Sequence, residues 1–166
     1  MLADTTNPRT RILVVANETA ASKTLHAAVA PELEGETVEI LLLAPALNSR
    51  LRHWLSDDDD ACRAARRRVQ LSLRRLADCG IRAEGVIGDA DPMQAIEGSL
   101  AIFPADRMII ATHPEGRSNW FARDLVGRAS ERFGLPITHI VVDEGAEGVY
   151  TVRPVRVPRP AHSLAA

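Results

Sequence analysis

The stretch that says most about the fold is MIIATHPEGRSNW, at residues 108–120. It starts as an apolar run typical of a buried strand, continues as a polar loop that contains Gly116, and leads into an amphipathic helix pattern. Open α/β sheets bind ligands where a buried strand passes through such a loop into a helix, because the first backbone N–H groups of the helix attract anions. Arg117 lies in the same loop. The pattern therefore predicts that the loop and the helix start bind a phosphate or carboxylate.

Short β-branched runs alternate with helical patterns along the rest of the chain. We predict strands at residues 11–16, 37–43, 81–87, 107–112 and 137–142, and helices at residues 20–29, 59–78, 92–103 and 120–133. Gly80 is a stop signal for the second helix, and Asp91 with Pro92 is a start signal for the third. This alternation predicts a single-domain α/β fold: a doubly wound, Rossmann-like parallel sheet of five strands with helices on both faces.

The α/β domain is expected to span residues 11–143. Residues 1–10 are small and polar, and we expect a disordered lead-in there. Residues 144–166 are rich in Gly, Pro and Arg, which predicts a flexible, extended tail. Within that tail, residues 149–152 (VYTV) resemble a strand and could pair with a sheet edge, including the edge of a partner.

Composition restricts the classes of function. The chain has 166 residues, of which 46% are hydrophobic and 25% charged, which suits one globular domain with a core. Its formal net charge of −2 gives no overall attraction to nucleic acid or to an anionic membrane. It has no apolar run of membrane-spanning length and no signal-like start. We therefore expect a cytoplasmic protein that binds neither nucleic acid nor membrane.

Loops that follow parallel strands converge at one edge of the sheet, so polar residues in those loops should meet. Turn and cap formation would explain any one Asn or Ser among them, but their convergence on one edge favours a ligand site. The site residues that we predict are Asn17, Glu18, Asn48, Ser49, Arg50, Thr112, His113, Gly116, Arg117, Ser118 and Asn119.

Other conspicuous clusters have simpler structural explanations. The acidic run at residues 57–60 lacks the glycine turn and distal glutamate of a calcium loop, and suits a helix start instead, so we predict no metal site. The arginines within residues 63–75 mostly avoid the apolar stripe and suit a solvated helix face. His113 could act as a proton shuttle or a polar anchor. Because no serine or cysteine nucleophile motif accompanies it, we predict no catalytic residue.

The order of these elements resembles the universal stress protein family. The resemblance covers residues 11–143 and is carried by RILVVANETAAS, GDADPMQAIEGSLAIFPADRMIIATH and GLPITHIVV. The segments APALNSRLRHW and THPEGRSNW are similar to an actinobacterial-type subgroup of that family. The resemblance implies a cytosolic α/β module of the stress response, often a homodimer through its last strand. Some members of the family bind ATP, and others do not.

The sequence departs from the ATP-binding members, which share an Asp after the first strand and a GxxG–x9–G[S/T] loop. Asn17 occupies the position of that Asp. Counted without gaps from the fourth strand, the glycine positions hold Ala111, Pro114 and Asp124. Pro114 has no N–H to donate, and Asp124 would repel phosphate. The usual ATP cradle is therefore absent, or is rebuilt around Gly116 and Arg117.

Three functions fit these observations. The first is a universal-stress-type module that binds an adenine nucleotide such as ATP, with Mg²⁺, or another small anion, with at most weak nucleotide hydrolysis. The second is a ligand-free dimeric adaptor of the stress response, whose polar edge and Arg-containing tail contact a protein. The third is an enzyme that uses His113 as an acid or base, which rests on analogy of fold alone. We expect the first function, in which Thr112, Gly116, Arg117 and Ser118 hold the anion.

Overall fold

The computed structural model describes residues 9–16, 18–35, 37–46, 58–114, 121–143 and 149–155. Its strands are β1 (Thr10–Ala16), β2 (Val38–Pro45), β3 (Ala83–Gly88), β4 (Arg107–Thr112), β5 (Ile137–Asp143) and β6 (Val149–Val155). Its α-helices are α1 (Lys23–Val29), α2 (Asp58–Asp78), α3 (Pro92–Ile102) and α4 (Phe121–Phe133). Short 3₁₀ turns, Glu18–Ala21 and Ala30–Leu33, flank α1.

The strands form one sheet in the order β3-β2-β1-β4-β5-β6. The first five strands pair in parallel, and β6 pairs antiparallel with β5. Helices α1 and α2 pack on one face of the sheet, and α3 and α4 pack on the other. The predicted doubly wound α/β fold is confirmed. The predicted count of five strands is wrong, because a sixth strand extends the sheet.

The sixth strand, β6, lies within the segment that we expected to be a flexible tail, and it includes residues 149–152, for which pairing with a sheet edge was the alternative expectation. That pairing is present, with the edge of the same chain. It pairs with β5 along its whole length, from Asp143 opposite Val149 to Ile137 opposite Val155. Val152 packs against the core on one face and Val155 on the other. Pro154 is compatible with this strand because an edge strand needs N–H donors on one side only. The extended backbone that proline favours therefore serves a strand here.

The central strands are buried on both faces. Ile12 and Leu13, neighbours on β1, have exposed fractions of 0%, and so do Leu42 and Leu43 on β2. Successive side chains of a strand point to opposite faces, so each pair contributes to both halves of the core. No helix within the described ranges combines the length and apolar character that crossing a membrane requires.

A buried histidine joins α1 to α2, which the sequence did not predict. His26 Nε2 lies 2.9 Å from Ser72 Oγ, and both side chains are buried. Burial lowers the pKa of His26, and the charge of Arg75 lowers it further, while the backbone of Ser22 and the hydrogen bond with Ser72 oppose this. Folding therefore favours the neutral imidazole at this position.

Helix α3 begins where the sequence predicts. The Asp91 side chain accepts hydrogen bonds from Met93 N at 2.8 Å and from Gln94 N at 3.4 Å. Gly88, at the end of β3, lies so close to the helix that an added Cβ would be 2.5 Å from Ala95 Cβ and 2.7 Å from Leu43 Cδ1. The packing of α3 against the sheet therefore requires a glycine at residue 88.

We predict that Gly88→Ala lowers the free energy of unfolding by about 1–3 kcal/mol, because the new methyl group overpacks the core. The measurement is urea unfolding of the two proteins followed by circular dichroism. Gly98→Ala is the matched control, since an added Cβ at Gly98 on α3 meets nothing within 4 Å. That change should raise stability by about 0.5–1 kcal/mol. Equal destabilisation by both variants would contradict the prediction.

Candidate functional site

The order of the strands creates a crevice between β1 and β4. From β1 the chain continues to β2 through α1 on one face, whereas from β4 it continues to β5 through α4 on the opposite face. The connections that leave these neighbouring strands therefore diverge at their carboxyl ends. Ala16 and Ala111 are register partners there and mark the two sides of the crevice. This is the position where open α/β sheets bind ligands.

Thr19 holds the β1 side of the crevice in place. It lies in the 3₁₀ turn Glu18–Ala21 with an exposed fraction of 2%, and its Oγ1 donates a hydrogen bond to the Ala111 carbonyl at 3.2 Å. Helix α2 packs against the same turn. The backbone of Glu18 is thereby fixed beside the end of β4. Thr19 was not among the predicted site residues, because its acceptor lies 92 residues away along the chain.

The structure brings three of the predicted site residues to this crevice. Thr112 and His113 lie at the end of β4 and are half-buried. The backbone of Glu18 lies opposite them, in the turn after β1. The other predicted site residues lie outside the described residues, so their place in the site stays a prediction: Asn17, Asn48, Ser49, Arg50, Gly116, Arg117, Ser118 and Asn119.

The Thr112 hydroxyl forms a hydrogen bond within the protein. Its Oγ1 lies 2.9 Å from Nε2 of His139, a half-buried residue of β5. A hydroxyl both donates and accepts, so either group can be the donor, depending on the tautomer of the imidazole. When Nε2 carries the hydrogen, it donates to Thr112, and the hydroxyl hydrogen of Thr112 is then available to a ligand. His139 can thus orient the hydroxyl that the sequence assigned to anion binding.

Arg153 acts on His139 from the neighbouring strand. The two residues are direct register partners in the β5–β6 pair. Burial lowers the pKa of His139, and the positive charge of Arg153 lowers it further. His139 was not among the predicted site residues, although its polar side chain interrupts the apolar run of β5. Arg153 was expected in the tail, because nothing in the sequence sets the register of β6.

The start of α3, also at this edge, is not suited to an anion. The Asp91 carboxylate already accepts hydrogen bonds from two N–H groups of its first turn. The Asp89 carboxylate accepts another from Asp91 N, at 2.8 Å. Both groups place negative charge where the helix dipole would otherwise attract an anion. Within the described ranges, no three His, Cys, Asp or Glu side chains are grouped so that they could hold a metal ion.

An open, doubly wound α/β domain with a crevice at its switch point belongs to a class of folds in which many members bind nucleotides. Comparison with known proteins narrows this class. No protein-family model matches the chain, and no curated protein matches it by similarity. Solved structures of universal stress proteins do align with it. The chain therefore has the fold of the universal stress proteins.

A universal stress protein from Archaeoglobus fulgidus aligns with a TM-score of 0.56 and 15% identity, over 78% of this chain and 92% of that one. A universal stress protein family member from Burkholderia pseudomallei gives a TM-score of 0.50 and 15% identity, over 80% and 96%. A family member from Arabidopsis thaliana with AMP bound gives a TM-score of 0.45 and 15% identity, over 83% and 94%. This structural similarity is too low to transfer a ligand, so the bound AMP describes the Arabidopsis protein and not this chain.

We predict that Arg153→Met raises the pKa of His139, because it removes one of the two causes that lower it. The measurement is an NMR titration of the imidazole Cε1–H signals. Arg74→Met is the control: Arg74 is an exposed arginine on α2, which covers the other face of the sheet. An unchanged His139 titration in Arg153→Met would contradict the prediction.

The same lowered pKa sets the sign of a pH effect on stability. The unfolded chain binds a proton at this histidine more readily than the folded chain does. The contribution of His139 to stability is therefore complete above a pH of about 6.5 and is lost as the pH falls below that value.

Proposed function

We propose that the protein is a cytosolic module of the universal stress type, which binds a nucleotide or another small anion in a stress response and does not turn it over at a robust rate. The observation that carries this proposal is the crevice at the ends of β1 and β4. One side of it is fixed by the hydrogen bond from Thr19 to Ala111, and the other presents the polar side chains of Thr112 and His113. The shared fold of the two universal stress protein structures supports the same class of function.

The chemistry of the described residues suits an anionic ligand. Thr112, His139 and Arg153 supply a hydroxyl, an imidazole and a guanidinium along neighbouring strands. In our proposal Arg117 adds a second guanidinium from the loop after β4, and Asn17 and Glu18 contact the ribose or base side. Asn48, Ser49 and Arg50 then border the opposite wall.

An adenine nucleotide is the ligand that we propose to test first. Pro114 cannot donate an N–H to its phosphates, so side-chain donors must replace the usual backbone cradle. The described side chains contain no ready group of metal ligands. A Mg²⁺ ion that accompanies ATP would therefore be held mainly by the phosphates, as is common for this ion.

We predict that ATP, ADP, AMP or inorganic pyrophosphate stabilises the protein, and that Arg117→Ala abolishes the effect. A ligand at 100 times its Kd stabilises the folded state by about 2.7 kcal/mol. For a chain of this size each kcal/mol raises the Tm by about 2–4 °C, so differential scanning fluorimetry suffices. Arg74→Ala, which removes an exposed side chain of α2 that the proposal does not use, is the control and should retain the full shift. No shift with any of the four ligands would refute the proposal.

We also propose that the protein forms a homodimer. The outer edge of β5 is already paired with β6 of the same chain, so a dimer built by pairing strands would have to use β6. Tyr150 on β6 supports this, since among the described residues it is one of two large hydrophobic side chains that are exposed, with an exposed fraction of 37%. A dimer of this kind is also compatible with the alternative function, a ligand-free adaptor.

We predict that Tyr150→Arg lowers the dimeric fraction, because a charged side chain at the strand edge opposes pairing with a second copy. The measurement is sedimentation velocity over a range of concentrations. Ile102→Arg is the matched control: Ile102 is 75% exposed at the end of α3. That helix packs against β2 and β3, at the opposite end of the sheet from β6. A monomeric parent protein, or equal dissociation by both variants, would contradict the dimer through β6.

A further inference from the structure

A group of polar side chains lies on the face of the sheet that α3 and α4 cover. We call it the polar corner, and it consists of Thr112 on β4, His139 on β5, and Thr151 and Arg153 on β6. The assignment to one face follows from the register. Thr112 is opposite Val141, which is opposite Thr151, and His139 is opposite Arg153. Side chains directly opposite one another project from the same face, and those two residues apart along a strand do so too.

The polar corner contrasts with the rest of that face. Toward the amino ends of β4 and β5 this face is apolar: Ile110 lies opposite His139, and Met108 lies opposite Ile137, which in turn lies opposite Val155. All four apolar side chains pack in the core. The polar side chains begin at the level of His139 and Arg153 and continue with Thr112 and Thr151, which have Val141 between them. Polar residues are ordinary where a sheet face meets solvent. Here, however, an arginine and a histidine, two side chains that can both carry positive charge, are direct register partners.

The charges of the polar corner are not balanced by the described residues. Arg153 is exposed and forms no ion pair with any of them, and its charge disfavours a proton on His139. Asp143 is the carboxylate on the same strand and face as His139, but it lies four residues further on, about 13 Å along the strand. An anion placed between Arg153 and Thr112 would balance this charge.

We propose that the polar corner is a subsite for a phosphate group of the ligand that enters the crevice. Arg153 and the Thr112 hydroxyl hold the phosphate, and His139 is a positioning residue that orients the hydroxyl. This inference rests on the proposed function and adds to it a residue from β6. Neighbouring strands are about 4.8 Å apart, and Arg153 is offset by two residues from the register level of Thr112, so the two backbone positions are about 12 Å apart. A phosphate and the long side chain of Arg153 fit that separation, with His139 on the strand between them.

The test is isothermal titration of the full chain with ATP, with adenosine, which lacks phosphate, and with inorganic pyrophosphate. Arg153→Met keeps most of the side-chain length and removes the charge. We expect it to weaken ATP and pyrophosphate binding about tenfold, the effect of losing one charge-assisted contact, and to leave adenosine binding unchanged. The ATP affinity of Arg153→Lys should lie between those of the parent and Arg153→Met, because lysine keeps the positive charge but lacks the planar guanidinium.

Two controls separate binding from structure. Arg74→Met removes an exposed arginine from the opposite side of the sheet and should leave ATP affinity unchanged. The ligand-free Tm of Arg153→Met should stay close to that of the parent, as is usual for an exposed side chain. Thr112→Val removes the second proposed contact with the phosphate. It should weaken the binding of ATP more than the binding of adenosine.

The possible failures are distinguishable. If the parent binds ATP and Arg153→Met binds it equally well, the subsite is wrong and the proposed function stands. If Arg153→Met weakens the binding of adenosine as much as that of ATP, Arg153 stabilises the site as a whole and does not contact the phosphate. The proposed subsite is then also wrong. If the parent binds neither ATP nor pyrophosphate, the proposed function fails and the subsite fails with it. Pyrophosphate binding that depends on Arg153 would support the subsite even where adenosine does not bind.

Discussion

The constraint on which the structure depends is the burial of its central strands on both faces. Ile12 and Leu13 are adjacent on β1, project to opposite faces and are fully buried. Burying a side chain of this size contributes about 1.5–3 kcal/mol, so neither face of the sheet can be left in water. Helices must therefore cover both faces, and the chain must change from one face to the other. The reversal of strand order between β1 and β4 accompanies that change, and the crevice follows from it.

The sequence predicted the elements whose causes are local. The bounds of β4 agree with the prediction because a strand buried on both faces is a continuous apolar run. The start of α3 agrees because Asp91 and Pro92 act within one helical turn. Within β6 the sequence indicated a possible strand only at residues 149–152. The rest was assigned to a tail, because proline and arginine also suit an extended tail and the partner strand is not evident from composition. The Thr112–His139 hydrogen bond was missed for the same reason: it joins residues on different strands, and the sequence does not give their register.

Two histidines of this fold form hydrogen bonds with hydroxyl groups, but they differ in burial. The degree of burial decides whether each pair can contact a ligand. His26 and Ser72 are both almost completely buried between α1, α2 and the sheet, where they can contact only the protein. Such a pair links two helices, because His26 Nε2 and Ser72 Oγ satisfy each other away from water, although His26 Nδ1 is buried without a hydrogen-bond partner among the described residues. His139 and Thr112 are half-buried: Thr112 ends β4 at the carboxyl edge, and the His139 side chain extends to it from a position opposite Ile110. A ligand in the crevice can therefore reach this pair through Thr112. Of the two pairs, only the second is placed to act in binding.

The register of β6 links the edge of the sheet to the site. Because side chains alternate along a strand, a shift of one residue would move Arg153 to the other face and separate it from His139. Val152 and Val155 oppose such a shift, since each must pack against the core on its own face. The same strand also covers β5, whose outer backbone groups would otherwise be unpaired. The extension of the sheet beyond β5 and the placement of a guanidinium beside His139 are therefore consequences of one strand pairing. A site that gains a residue in this way is fixed by the core and not by the conformation of a loop.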